Sequence, residues 1–142
     1  MRIVTLILLF VLALSASPEA AQELGYHTDY QKALAVAKKE QKPLMLVVVT
    51  TYCPWCRKFE HKTLASKTIA PVVASTYIPV IVDRNNDAKN FPEQFQTPRI
   101  PTVFFIDPND GKEYWESIGY RSIKEFADAL KEVENLYNKK RK

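Results

Sequence analysis

With 142 residues, 46% of them hydrophobic, the chain has apolar mass for one domain with a real core and too little length for two. Its formal charge of +4 equals that of the terminal cluster Lys139, Lys140, Arg141 and Lys142, so the body is close to neutral, which argues against nucleic acid as a partner. Only two cysteines occur, Cys53 and Cys56 in one motif, which excludes a disulfide-stapled scaffold and leaves the pair for chemistry or for nothing.

At the start, Met1 and Arg2 supply positive charge, residues 3–14 are apolar apart from Thr5, and small residues follow at Ser15, Ala16, Ser17, Ala20 and Ala21. This is the pattern of a secretory signal peptide whose apolar core is too short for a comfortable membrane span. Glu19 spoils a clean small-x-small site before Gln22, and cleavage is expected after Ala21 or slightly earlier. Residues 1–21 are thus assigned to the leader, which leaves about 120 residues with no membrane span and an expected periplasmic location. No cysteine follows the apolar core, so a lipoprotein anchor is not expected. Residues 28–41 then read as a helix, with Thr28 and Gln31 as a capping box, Tyr30, Ala33, Leu34 and Ala37 as its apolar stripe, and Lys38 and Lys39 in the last turn.

Residues 44–49, LMLVVV, form a continuous apolar run rich in β-branched side chains, the pattern of a strand buried on both faces, and Pro43 marks its start. After a short break come Cys53-Pro54-Trp55-Cys56 and a helix with Cys56, Phe59 and Leu64 on one face. Cys53 therefore falls at a strand-to-helix turn, where orphan backbone N–H groups and the helix dipole favour a thiolate. Pro54 suits a first helical turn, and Arg57 and Lys58 add positive charge. Cys56, one turn along, is near enough to close a disulfide with Cys53 and less open to solvent. That assigns attack to Cys53 and release of the mixed disulfide to Cys56. Other uses of a cysteine pair fit less well. A c-type haem needs His directly after the second cysteine, where this chain has Arg57, and zinc needs two further ligands, with only His27 and His61 as imidazoles. A purely structural bridge closing so small a ring constrains little of the unfolded chain. No cofactor and no metal site is expected, although metal carriage by the pair itself stands as a separate hypothesis.

Residues 66–74 read as a continuation or second helix, with Pro71 as a break or kink. Residues 77–83, YIPVIVD, are a second buried strand that Asp83 terminates; Asp83 is given no catalytic role. Residues 84–99 are polar and irregular, with a short helix expected at 92–95. Ile100-Pro101-Thr102 leads into a strand at 103–106, Pro108-Asn109-Asp110-Gly111 is a turn, and residues 112–118 return as an antiparallel partner. Gly119 frees the chain to turn, and Ser122 with Glu125 caps a last amphipathic helix bearing Ile123, Phe126, Ala127, Leu130 and Val133 on one face. Residues 139–142 are expected as a solvated, frayed basic tail after a domain at 22–138. The element order gives an α/β class with a central mixed β-sheet flanked by helices on both faces.

In combination, Cys53-Pro54-Trp55-Cys56 after a buried strand, Ile100-Pro101-Thr102, the Asp110-Gly111 hairpin and Gly119 before the last helix make the chain resemble the thioredoxin superfamily over residues 23–137. The lead-in KPLMLVVVTTYCPWC is similar to secreted bacterial thioredoxin-like proteins, relatives of thiol:disulfide interchange domains, more than to cytosolic thioredoxin. The resemblance implies the thioredoxin fold, with Pro101 in cis opposite the cysteines and the Ile100 backbone presented to an extended peptide. Tyr52, Pro54, Trp55 and Ile100 would then form the rim that substrates touch; Trp55 reads equally as an ordinary helix-surface aromatic. Two departures matter. Val47 stands where thioredoxins carry a buried Asp that assists proton transfer from the resolving thiol; Glu60 is the substitute through water, although an exposed helix Glu is the plainer reading. Pro54-Trp55 is also similar to the glutaredoxin motif, but with glycines only at 25, 111 and 119 the glutathione-gripping pair is missing.

The function expected is an exported, monomeric thiol:disulfide oxidoreductase that reduces protein disulfides, with protein thiols and disulfides as substrates and a membrane thiol reductase as electron donor. Ile100 before the proline and the absence of an inserted helical domain favour reduction. An oxidase or isomerase of the same fold, and a non-enzymatic thioredoxin-like binding module, are the alternatives.

Overall fold

The computed structural model describes residues 19–142. The stretch 1–18, which holds most of the expected signal peptide, lies outside the described residues. Helices α1 (Glu19–Leu24) and α2 (Tyr30–Glu40) lead to strand β1 (Leu44–Val49). Helix α3 (Pro54–Lys58) runs on as a π-helical segment, Phe59–Leu64, and α4 (Ala70–Thr76) feeds strand β2 (Ile78–Asp83). A 3-10 turn, Glu93–Phe95, interrupts the long connection to β3 (Thr102–Ile106), after which β4 (Glu113–Ile118) and α5 (Ile123–Lys140) complete the chain.

The four strands lie in the order β2-β1-β3-β4, with β1 parallel to β2 and antiparallel to β3, and β3 antiparallel to β4. This is the mixed sheet of the thioredoxin fold. All six residues of the inner strand β1 are buried because alternate side chains enter two different cores. Met45, Val47 and Val49 join Phe59, Val103, Phe105, Phe126 and both cysteines, while Leu44, Leu46 and Val48 join Tyr30, Ala33, Phe95 and Phe104. Each such aliphatic side chain contributes roughly 1.5–3 kcal/mol relative to exposure. The strand that delivers Cys53 is therefore firmly held on both faces and both edges.

Local details correct some expectations and bear out others. Asp29, not Thr28, caps α2, its carboxylate accepting from the Lys32 N–H at 3.0 Å. Pro71 does not break a helix but sits in the first turn of α4, where its missing N–H costs nothing. The Ser122–Glu125 box forms in both directions, at 2.8 Å and 3.3 Å. The basic tail is not wholly frayed: α5 carries Lys140 to the β3–β4 turn, where its Nζ meets Asp107 at 2.9 Å and Asp110 at 2.8 Å. Gly111, at φ 69°, gives that turn its left-handed residue. Helix α1 was not foreseen. It straddles the point after Ala21, and Ala20 and Ala21 are buried in the cysteine-side core, so a boundary there cuts a packed helix in two.

Candidate active site

Cys53 leaves β1 through residues 50–52 and becomes the N-cap of α3, with extended backbone at φ −126° and ψ 100°. Its Sγ accepts from the Cys56 N–H at 3.1 Å, and its carbonyl accepts from the Arg57 N–H at 3.1 Å. A capping side chain normally offers oxygen to these orphan N–H groups; here the sulfur takes that place. Cys53 and Cys56 are joined in a disulfide with Cα atoms 5.2 Å apart. Cys53 keeps 8% of its surface exposed and Cys56 none, which makes the first sulfur the one a partner can reach.

The rim follows from what each neighbour packs on. Tyr52 is 96% exposed and Trp55 58% exposed, while Pro54 begins the helix on the surface. Ile100 is half-buried against the same core that holds both cysteines. The Ile100–Pro101 peptide is cis, and Pro101 is buried with its carbonyl accepting from the Gly119 N–H at 2.8 Å. Val48 pairs with Thr102, which brings Pro101 beside the segment leaving β1 toward Cys53.

The sequence reading missed Tyr120. Its ring meets Trp55 at 5.5 Å between centroids, and Lys58 Nζ lies 4.9 Å from the Trp55 centroid and 4.8 Å from that of Tyr120. Gly119, whose positive φ turns the chain just before Tyr120, is the nearest signal the sequence carries. Arg57, one of the two cations beside the cysteines, faces Glu19 of helix α1 at 3.9 Å.

Two acids frame the site. Asp83 anchors the approach to Cys53: its Oδ2 accepts from Thr51 Oγ1 at 2.7 Å, and its Oδ1 accepts from the N–H groups of Asn85 and Asn86 at 2.8 Å and 3.0 Å. Burial pushes its carboxyl up, but these hydrogen bonds outweigh that and hold it below the usual range. Glu60 corrects an expectation, being 7% exposed rather than on the open helix surface. It lies in the π-helical segment, where the Ala65 N–H reaches back to its carbonyl at 3.0 Å, and helix α1 packs against that segment. Burial pushes the Glu60 carboxyl up; His61 and Arg57 pull it down and Glu23 pushes it up again. Val47, in the place of the expected family Asp, is fully buried among apolar side chains. Among the described residues, no three His, Cys, Asp or Glu side chains converge as a metal group.

A family model described as a thioredoxin-like domain matches residues 30–134. The thiol:disulfide interchange protein DsbD of Pseudoalteromonas atlantica is 28% identical over 109 residues, which are 74% of this chain and 18% of that protein. The chain thus spans under a fifth of that relative's length. A thioredoxin from Thermus thermophilus superposes with a TM-score of 0.65 at 22% identity, covering 76% of this chain and 85% of the other. The oxidised C-terminal domain of DsbD from Neisseria meningitidis gives 0.61 at 19% identity, covering 75% and 97%. These two likenesses show the fold.

Proposed function

We propose that this chain, which belongs to the thioredoxin-like domain family, is an exported thiol:disulfide oxidoreductase that reduces protein disulfides through Cys53 and Cys56. The observation that carries the reading is the Cys53–Cys56 disulfide, with one sulfur at a helix N-cap and reachable and the other sealed in the core. In the reduced protein the Cys53 thiolate attacks one sulfur of a client disulfide, forming a mixed disulfide and releasing the client's other sulfur as thiolate. Cys56 then loses its proton and attacks Cys53 Sγ, which releases the second client thiol and closes the disulfide. Two electrons have passed to the client, and a thiol reductant, expected in the membrane, must return them.

Glu60, buried one turn beyond Cys56 with its carboxyl held up by burial, takes the proton that Cys56 gives up, directly or through water. It replaces the acid that Val47 lacks. The rim of Tyr52, Pro54, Trp55 and Ile100 holds the client, and Pro101 sets the edge against which an extended peptide lies.

Two arms test the reading. Cys56→Ser accumulates mixed disulfides with protein substrates, whereas Cys53→Ser accumulates none and reduces nothing; equal activity of Cys53→Ser and the native chain sinks the assignment. Equilibration with glutathione gives a potential near about −270 mV for a reductant, and a value near about −120 mV marks an oxidant instead.

Export rests on the leader pattern of the first residues, and cleavage belongs before Glu19, where it leaves α1 whole. The mature protein then starts at or upstream of Glu19 on N-terminal sequencing. A mature start at Gln22 contradicts this.

A further inference from the structure

We propose, on the footing of the reductase reading, that the client segment docking over Cys53 is acidic: an extended peptide with Asp or Glu flanking its disulfide cysteine. Three connections meet at the sheet end that holds Cys53, namely residues 50–58, 84–101 and 119–122, and each brings at least one cation that makes no ion pair among the described residues. Lys58 is fixed over the faces of Trp55 and Tyr120, which locate its ammonium without neutralising it. Arg84 Nη1 donates to the carbonyls of Thr97 and Pro98 at 2.9 Å each, and Arg121 Nε donates to Ser117 Oγ at 3.3 Å. Those acceptors are uncharged, so both guanidiniums keep their full charge. Arg99 is exposed beside Ile100.

Among the described residues none of these four cations has a carboxylate at ion-pair distance, although Glu125 lies near enough to Arg121 to feel its charge; of the other acids at this end, Asp83 keeps its charge but turns it to the donors of Thr51, Asn85 and Asn86. Asp87 accepts from the Asp83 N–H at 2.7 Å, Glu60 is buried, and Glu19 faces Arg57. The far end of the sheet is arranged the other way, with Lys140 seated between Asp107 and Asp110. The cysteine end thus presents an apolar centre of exposed rings inside a positive rim. An apolar centre binds any extended chain, whereas a rim of one sign selects partners of the other and speeds their encounter.

The test uses the reduced native protein and two synthetic disulfide peptides, alike except for Glu or Lys on both sides of the cysteine. At about 20 mM salt the Glu peptide is reduced about tenfold faster, and at about 500 mM salt the two rates converge, because the field is screened within a few ångströms. In Arg99→Glu the low-salt ratio falls at least about threefold. Equal rates at low salt, a faster Lys peptide, a ratio unmoved by salt or one unmoved by Arg99→Glu overturns the proposal. Failure to reduce either peptide is a different result: it removes the reductase reading and the proposal with it.

Discussion

Asp83 and Glu60 are both buried acids at the cysteine end of the molecule, yet one closes the β2 end under three hydrogen bonds while the other lies in the π-helical segment with no side-chain hydrogen bond among the described residues. The same burial therefore has opposite consequences. Asp83 is held ionised and serves as an anchor for the loop that positions Cys53; Glu60 is pushed toward its protonated form and is free to exchange a proton. What separates the two carboxyls is chiefly the supply of N–H and O–H donors.

Replacing each by its amide sharpens the contrast. Asp83→Asn takes the charge from a buried network and lowers stability by about 2 kcal/mol, read by chemical denaturation at neutral pH. Because the folded carboxyl lies below its unfolded value of about 3.9, its contribution is present above that value and lost as pH falls through the folded one. No loss of stability in Asp83→Asn at neutral pH contradicts the anchoring role. Glu60→Gln is expected to act on rate instead, slowing release of the mixed disulfide about tenfold, or about 1.4 kcal/mol in barrier, and removing one inflection from the pH profile. Its stability effect runs the other way. A carboxyl raised above about 4.3 favours the fold at low pH and disfavours it as pH rises through the folded value, so the amide equals or exceeds the native chain in stability at neutral pH. An unchanged release rate with a clear loss of stability would make Glu60 an anchor like Asp83 and erase the comparison.

The fold was legible because a continuous β-branched apolar run, turn chemistry and capping agreed over β1, the Asp110-Gly111 turn and the Ser122–Glu125 box. The cysteine site was legible for the same reason: strand, break, Cys53, Pro54 is a local arrangement. What stayed hidden depended on contacts between distant segments. Helix α1 carries only the short EAAQEL stretch, with no periodicity to mark it, and it packs against the π-helical segment that holds Glu60. Tyr120 meets Trp55 and Lys58 only once β4 has paired with β3 and carried the segment after it to the cysteine loop. The charge asymmetry between the sheet ends was invisible in a net charge that counts the Lys139–Lys142 cluster against a neutral body.

Everything rests on the sulfur of Cys53 being acidified by the helix end that it caps. Titration of the Cys53 thiol in the Cys56→Ser variant, by thiolate absorbance or by alkylation rate against pH, tests this directly. The account predicts a midpoint well below the free-cysteine value of about 8.5. A midpoint at or above that value contradicts it.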